Sequence, residues 1–559
     1  MTDEVTTGGE AAPRTRAGGY AFLVGAGIFL SRVAGLARGA VLANFLGTTE
    51  AASAFYAALR IPNFLQNLLG EGVLSASMIP VYSRLLAKDD RETAGKVAGT
   101  ILSLLALVTA AVAVLGVLFA PLFVTLLTPG FVGETRRLTI VLVRILFPAI
   151  GLLVLSAWCL AVLNSHRKFF LPYAAPVLWN AAIIAAVLLF GRGESAERVA
   201  VIAGWGVLAG AILQLGIQVP SVAMLVRPLR LAIFTRLEAV RQVFRNFGPV
   251  LVGRGVVQIS AFVDEILASY LTTAAIAGIG YAYTIYLLPF SLFGMAVSAS
   301  ELPQMASAAG TSEDVAAALR ERLRRGLRQI AFFVVPSVVA FFAIGDDLVA
   351  TLYQRRLFTA DSTLYVWYIL GGYAVGLLAG TLSRLYVSAF FALNDTRTPV
   401  RFAVVRVVLA AAIGLLLAFP LRPLLVRFLT GVLGLPVPAL FDSDGVRLDG
   451  ALALGAVGLS FASGVVSWIE LGLLRRAMAR RIGTVPFDAS HQLKLWTAAL
   501  AAGAAGFAVS RHLLPAVAPG LHPIPYGIAS AAAFGIVYLT LALIFRIPEV
   551  TAITRRLGR

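Results

Sequence analysis

Arg60, Asn63, Asn67 and Glu71 interrupt an otherwise apolar stretch, "LRIPNFLQNLLGEG", at intervals of three and four residues. On a helix that spacing puts all four on one face, in a stripe about 16 Å long at 1.5 Å rise per residue. A guanidinium makes forked, charge-assisted hydrogen bonds to phosphate or carboxylate, and amides add neutral donors and acceptors. Glu71 most simply pairs with an arginine, because a lone carboxylate in apolar surroundings would protonate or disrupt the site. The chemistry that such a face offers is recognition of a polar, anionic group.

Two other apolar stretches carry charge in the same way. "FLSRVAGLARGAVLANFLG" holds Arg32 and Arg38, about 9 Å apart along a regular helix and pointing about 120° apart. A straight helix would not aim both at one point, although Gly35 and Gly39 soften it and offer a close-packing face. "VGRGVVQISAFVDEILASY" holds Arg254, Asp264 and Glu265. The two acids either bind a coupling cation or proton or pair with arginine, and pairing is the preferred reading. Each charge inside an apolar span costs roughly 2.5–3.5 kcal/mol at its centre, so these residues are expected to face a cavity or a partner. Arg144, Arg384 and Arg406 sit nearer predicted span ends and read as snorkelling to the interface.

Other chemistry is sparse. Cys159 is the only cysteine, which excludes a disulfide framework and a thiolate site. The four histidines are scattered, and Asp442 with Asp444 makes only a short D-x-D in a loop, so no metal site is expected. No phosphate-binding P-loop or nucleotide fingerprint is present, which argues against a nucleotide-driven pump and leaves no cofactor to assign.

The elements that must position these side chains follow from composition. The 559 residues are 59% hydrophobic and 13% charged, and apolar runs of about 20 residues recur, the length that crosses a bilayer as a helix. The fold class is therefore an all-α polytopic membrane protein with about 14 transmembrane helices, arranged as two six-helix lobes plus two C-terminal helices. Residues 1–18 read as a disordered cytoplasmic tail, 19–225 as the N-terminal lobe and 226–246 as a basic amphipathic interfacial helix. Residues 247–478 read as the C-terminal lobe, 479–546 as the additional helices and 547–559 as a basic cytoplasmic tail. The net charge of +18 would suit nucleic acid, but most Lys and Arg fall in alternate loops. That asymmetry places both termini in the cytoplasm and assigns the cations to insertion and anionic lipid headgroups, with no nucleic-acid partner.

Several stretches taken together resemble the MurJ (MviN) family of lipid II flippases, within the multidrug/oligosaccharidyl-lipid/polysaccharide exporter superfamily. They are "SRVAGLARGAVLANFLG", "AALRIPNFLQNLLGEGVLSASMIPVYSRLL", "LNSHRKFFLPYAAPVLWN", "LYQRRLFTADST" and "FFALNDTRTPVRFAVVRV". The resemblance implies a central cationic cavity between two lobes and a bacterial inner-membrane location. Its implied cargo is lipid II or a related polyprenyl-pyrophosphate glycolipid, with membrane lipids and cell-wall synthesis proteins as partners. Arg32, Arg38 and Arg60 match its basic positions, and Arg254 stands as a substitute for lost charge. The chain departs from the family pattern at Gly39, Ser53, Gln66 and Thr284, where charges are usual, and at Ala410 and Gly414, where some relatives bind sodium. Export of another polyprenyl-linked glycan or amphiphile, or a nontransporting scaffold for envelope enzymes, remains the alternative.

Overall fold

The computed structural model describes residues 14–550, apart from 235, 296, 299–300, 302–304, 306–310, 394, 443–445, 487, 518–519 and 521; side chains are also left undescribed at 14–24, 61–62, 64–65, 67, 71–72, 249–261, 295 and 312. The described chain is helical, and twelve of its helices are long and apolar enough to cross a membrane. The first ten helices are α1 (Arg14–Leu46), α2 (Glu50–Leu69), α3 (Glu71–Ser77), α4 (Ile79–Ala87), α5 (Arg91–Leu118), α6 (Ala120–Leu127), α7 (Gly133–Ser165), α8 (Phe170–Ala174), α9 (Pro176–Phe190) and α10 (Ala196–Leu225). They pack mainly on one another, with α7 at the centre touching α2, α5 and α10. The second group comprises α11 (Glu238–Ser269), α12 (Ala275–Pro289), α13 (Ser312–Ala343), α14 (Gly345–Tyr353), α15 (Ala360–Ala392), α16 (Arg397–Ala418) and α17 (Gly455–Ile482). Two last long helices, α18 (Ala489–Ala508) and α19 (Pro523–Ile544), pair with each other against α13 and α14.

Helix starts carry their own signals. Asp90 accepts the Thr93 N–H at 3.0 Å ahead of α5, and Thr311 with Asp314 forms a reciprocal capping box ahead of α13. Between helices, lipid tails remove the usual hydrophobic drive, so close approach and dispersion take its place. The α15–α17 contact shows the device: a Cβ at Gly376 would lie 2.5 Å from the Gly464 Cα, and one at Gly372 would lie 2.1 Å from the Ser460 hydroxyl. Large apolar side chains such as Leu107, Leu118, Leu189, Trp205 and Leu500 are exposed instead, an outer surface suited to hydrocarbon.

The linker differs from the sequence expectation of an interfacial helix over 226–246. Residues 226–234 and 236–237 are not helical, and the helix begins only at Glu238 as the first turn of α11. Pro228 cannot extend a helix, and the segment instead lies across α5. Thr100 donates its hydroxyl to the Ala232 carbonyl at 3.0 Å and accepts the Phe234 N–H at 3.2 Å. Gly99 makes room for this strap, since a Cβ there would sit 2.0 Å from the Arg230 carbonyl oxygen.

If small residues hold α15 against α17, Gly376→Leu should lower Tm in detergent by the equivalent of about 2 kcal/mol or more, read by thermal unfolding of the purified chain. A substitution at Gly216, which has open space around its Cβ position, should not.

Candidate functional site

The site is built where α2 of the first group meets α11 and α12 of the second. Arg60 on α2 reaches Glu265 on α11, with 3.6 Å between Nη1 and Oε2. The Glu265 side chain is fully buried and Arg60 is 30% exposed, so the pair is closed on one side and open on the other. Asp264, Tyr283 and Tyr373 lie within electrostatic reach of the same guanidinium. The sequence reading paired both acids with arginine; here Glu265 is in ion-pair contact with Arg60, and Asp264 lies within its electrostatic reach.

Arg38 takes a different position. Its guanidinium sits 4.8 Å from the centre of the Trp179 ring of α9, with Tyr56 and Tyr353 as electrostatic neighbours. Stacking on the negative face of an indole stabilises a cation without a carboxylate and leaves its edge available to an anion. Arg32 is half-buried six residues earlier on α1, about 120° around the helix from Arg38. Asn63 is half-buried on α2. The side chains of Asn67, Glu71 and Arg254 lie outside the described residues, as does Asp444.

At the end of the bundle where α1 turns into α2, the two groups are sealed together. Thr48 and Ser362 share a hydroxyl–hydroxyl hydrogen bond of 2.8 Å, and the Ser53 hydroxyl accepts the Ala277 N–H at 3.0 Å. Gly130 N–H donates to the Ser269 hydroxyl at 3.1 Å. Inside these polar contacts lies an aromatic plug: Tyr281 is 5.1 Å from Tyr56, 5.0 Å from Tyr353 and 5.3 Å from Phe358 between ring centres. Gly47, in the left-handed region at φ +56°, lets the α1–α2 turn approach Leu357, whose carbonyl oxygen would stand 2.5 Å from a Cβ.

The positions that depart from the family pattern have local duties. Ser53 serves the Ala277 backbone, and Thr284 bonds back to the Gly280 carbonyl at 2.9 Å. The Tyr353 ring lies 3.5 Å from where a Gly39 Cβ would be. Ala410 and Gly414 are buried, with Gly414 packed on Leu459.

Arg384 and Arg406 correct the snorkelling assignment. Arg406 on α16 pairs with Glu470 on α17 at 3.4 Å, and Arg384 on α15 lies 5.1 Å from the Phe290 ring centre. Each is electrostatically coupled to the other. A charge eight or nine residues inside a span can turn toward a neighbouring helix as readily as toward the interface, and for Arg406 the Glu470 carboxylate decides it. Sequence reasoning passed over Glu470, whose presence in the apolar run "FASGVVSWIELGLL" was the available signal. Arg144, in contrast, is exposed on α7, as a snorkelling residue should be.

Comparison with known proteins bears on this arrangement. Residues 42–434 match the family model described as lipid II flippase MurJ. The chain is 30% identical over 403 residues to a probable lipid II flippase MurJ of Rhizobium tropici, covering 71% of this chain and 74% of that protein. It is also 30% identical over 386 residues to the lipid II flippase MurJ of Burkholderia cenocepacia, covering 67% and 73%. Among solved structures, a lipid II flippase MurJ in an inward closed conformation superimposes with a TM-score of 0.71 at 21% identity, over 94% of this chain and 99% of that one. An inward-facing MATE-family multidrug transporter of the MOP superfamily superimposes with a TM-score of 0.60 at 16% identity, over 80% and 96%.

The cross-group ion pair gives a direct test. Arg60→Gln and Glu265→Gln should each lower thermal stability by leaving a buried charge unmatched, and the double variant should lose less than their sum. A coupling of about 1 kcal/mol or more is expected from the double-mutant cycle; strict additivity would mean that the pair contributes nothing.

Proposed function

The chain belongs to the MurJ family of lipid II flippases, and we propose that it carries lipid II from the cytoplasmic to the outer leaflet of the bacterial inner membrane by alternating access. It is a transporter, not an enzyme. The observation that supports the mechanism is the set of contacts that joins the two helix groups near Thr48, hydroxyl contacts and the aromatic plug, with the Arg60–Glu265 pair deeper in the bundle. Lysines and arginines concentrate at the opposite end, which the positive-inside tendency makes cytoplasmic. In this reading both termini are cytoplasmic, the Thr48 end faces outward, and α2–α4 and α11 also cross the membrane, bringing the spans to about 14. Enzymes of cell-wall synthesis are the partners expected to receive the lipid outside.

The cargo is an undecaprenyl-pyrophosphate bearing a peptidoglycan disaccharide-pentapeptide. Its diphosphate is the group for which arginine forks are suited, and Arg38, Arg60 and Arg32 line the route offered to it, with Asn63, Asn67, Glu71 and Arg254 assigned to the same polar path. An anion arriving at Arg60 competes with Glu265 for the guanidinium. Binding would therefore weaken the very contact that joins the two groups, which gives the cargo differential affinity for the open state and lets it drive the change.

Expression of the chain should rescue cells depleted of their own lipid II flippase, and Arg38→Ala should abolish rescue at unchanged membrane abundance. Rescue by Arg38→Ala would remove that residue from the path. A Thr48→Cys/Ser362→Cys variant should form a disulfide, since the native hydroxyls are 2.8 Å apart and the chain's own Cys159 is buried. Oxidation should then stop lipid II transfer in proteoliposomes and a reductant should restore it; transfer by the fully crosslinked protein would refute alternation at this end.

A further inference from the structure

A second cluster of cations lies on α15 and α16 of the second group of helices, apart from the arginines of the first group. Arg384 and Arg406 stand eight and nine residues inside their helices, about 12 Å from the helix ends at 1.5 Å per residue. A snorkelling arginine extends toward water, but Arg384 lies against the Phe290 ring and beside Arg406. The only carboxylate in ion-pair contact with either, among the described residues, is Glu470, which goes to Arg406. Arg384 is exposed and makes no ion pair among the described residues.

The surroundings supply donors and a flat wall. Tyr283 and Tyr286 of α12 stack at 5.8 Å, Tyr286 continues onto Phe290 at 5.7 Å, and Tyr373 closes the group at 5.4 Å from Tyr286. Tyr283 is 40% exposed. Tyr373 neighbours Asp264 and Arg60 on one side, while Tyr286 neighbours Arg406 and Arg384 on the other. The wall thus runs from the cross-group ion pair to the second arginine pair. Two guanidiniums and the exposed Tyr283, with Tyr286 beside it, against one carboxylate make a donor-rich, acceptor-poor cluster. Glu470 lies within electrostatic reach of both guanidiniums, so one carboxylate serves two cations and a net positive charge remains within the span, which is costly unless a further anion joins it.

We infer that Arg384 and Arg406, flanked by Tyr283 and Tyr286, form a second oxyanion-binding subsite that holds an anionic group of the cargo's headgroup, phosphate or peptide carboxylate. This rests on the lipid II reading and adds to it a second point of attachment, on the opposite group of helices from Arg38 and Arg60. A headgroup held at both points bridges the two halves, so its release depends on their separation and not on the diphosphate contacts alone.

The test uses the full chain in nanodiscs, with lipid II and undecaprenyl diphosphate as the two probes and thermal stability read in parallel. Arg384→Gln should weaken lipid II binding about tenfold or more while Tm holds or rises, because it relieves repulsion with Arg406; Arg384→Lys should keep most of the affinity. Weakening of lipid II alone identifies the peptide carboxylate as the bound group, and equal weakening of both probes identifies the diphosphate. Unchanged lipid II affinity in Arg384→Gln overturns the subsite, whatever happens to Tm. Should that variant fail to fold, the double change Arg406→Gln/Glu470→Gln removes the neighbouring pair without stranding a charge, and unchanged affinity there overturns it equally. A wild-type chain that binds lipid II poorly would instead refute the lipid II reading itself.

Discussion

A charge inside a membrane protein must be paired, stacked or wetted, and the arrangement of this molecule follows from how its interior arginines meet that demand. Arg60 finds a carboxylate on the other half of the protein, Arg406 finds one in the adjacent helix, Arg38 finds an indole, and Arg384 lies against a phenyl ring and shares the Glu470 carboxylate with Arg406 only at longer range. These four solutions form a graded series. The Arg60 pair joins the two halves, and the cation without an ion pair is the one most in need of an external anion.

Around that series the helix packing is stiff. Contacts such as Gly376 on Gly464 leave no layer of side chains to slide, and packed interfaces of this kind tend to have two discrete arrangements and few intermediate ones. The seam between the halves is built otherwise, from single hydroxyl contacts, tyrosine edges and the Arg60–Glu265 ion pair. Individually the hydroxyl and ring contacts contribute modestly, about 0.5–1.5 kcal/mol each. A rigid pair of bodies joined by a weak seam is what rocking motion requires, whereas a seam packed like α15 on α17 would not open at ordinary energies.

Much of this was legible in the sequence because membrane insertion makes charge expensive. Arg32, Arg38, Arg60 and the Asp264–Glu265 acids stood out against apolar runs, and their expected pairing is met at Arg60 and Glu265. What linear position cannot state is which neighbour a side chain will meet. Arg384 and Arg406 were assigned outward from their depth alone, though the deciding residue, Glu470, lies 64 positions from Arg406. Thr48 and Ser362 are 314 residues apart and chemically ordinary, so no local pattern marks them. The linker failed for another reason: its amphipathic spacing was real, but Pro228 and the hydroxyl of Thr100 gave its backbone a better set of partners than a helix would.

That strap has a mechanical meaning. A free linker of a dozen residues would let the second half drift and turn about any axis, with its ends at an effective concentration set by chain statistics. Bound along α5 through Ala232 and Phe234, the same residues contribute almost no slack. The chain leaves the first half at a fixed point, Glu238, and with a fixed heading. The strap on α5 therefore shortens the free tether between the halves, which limits how far one can move from the other.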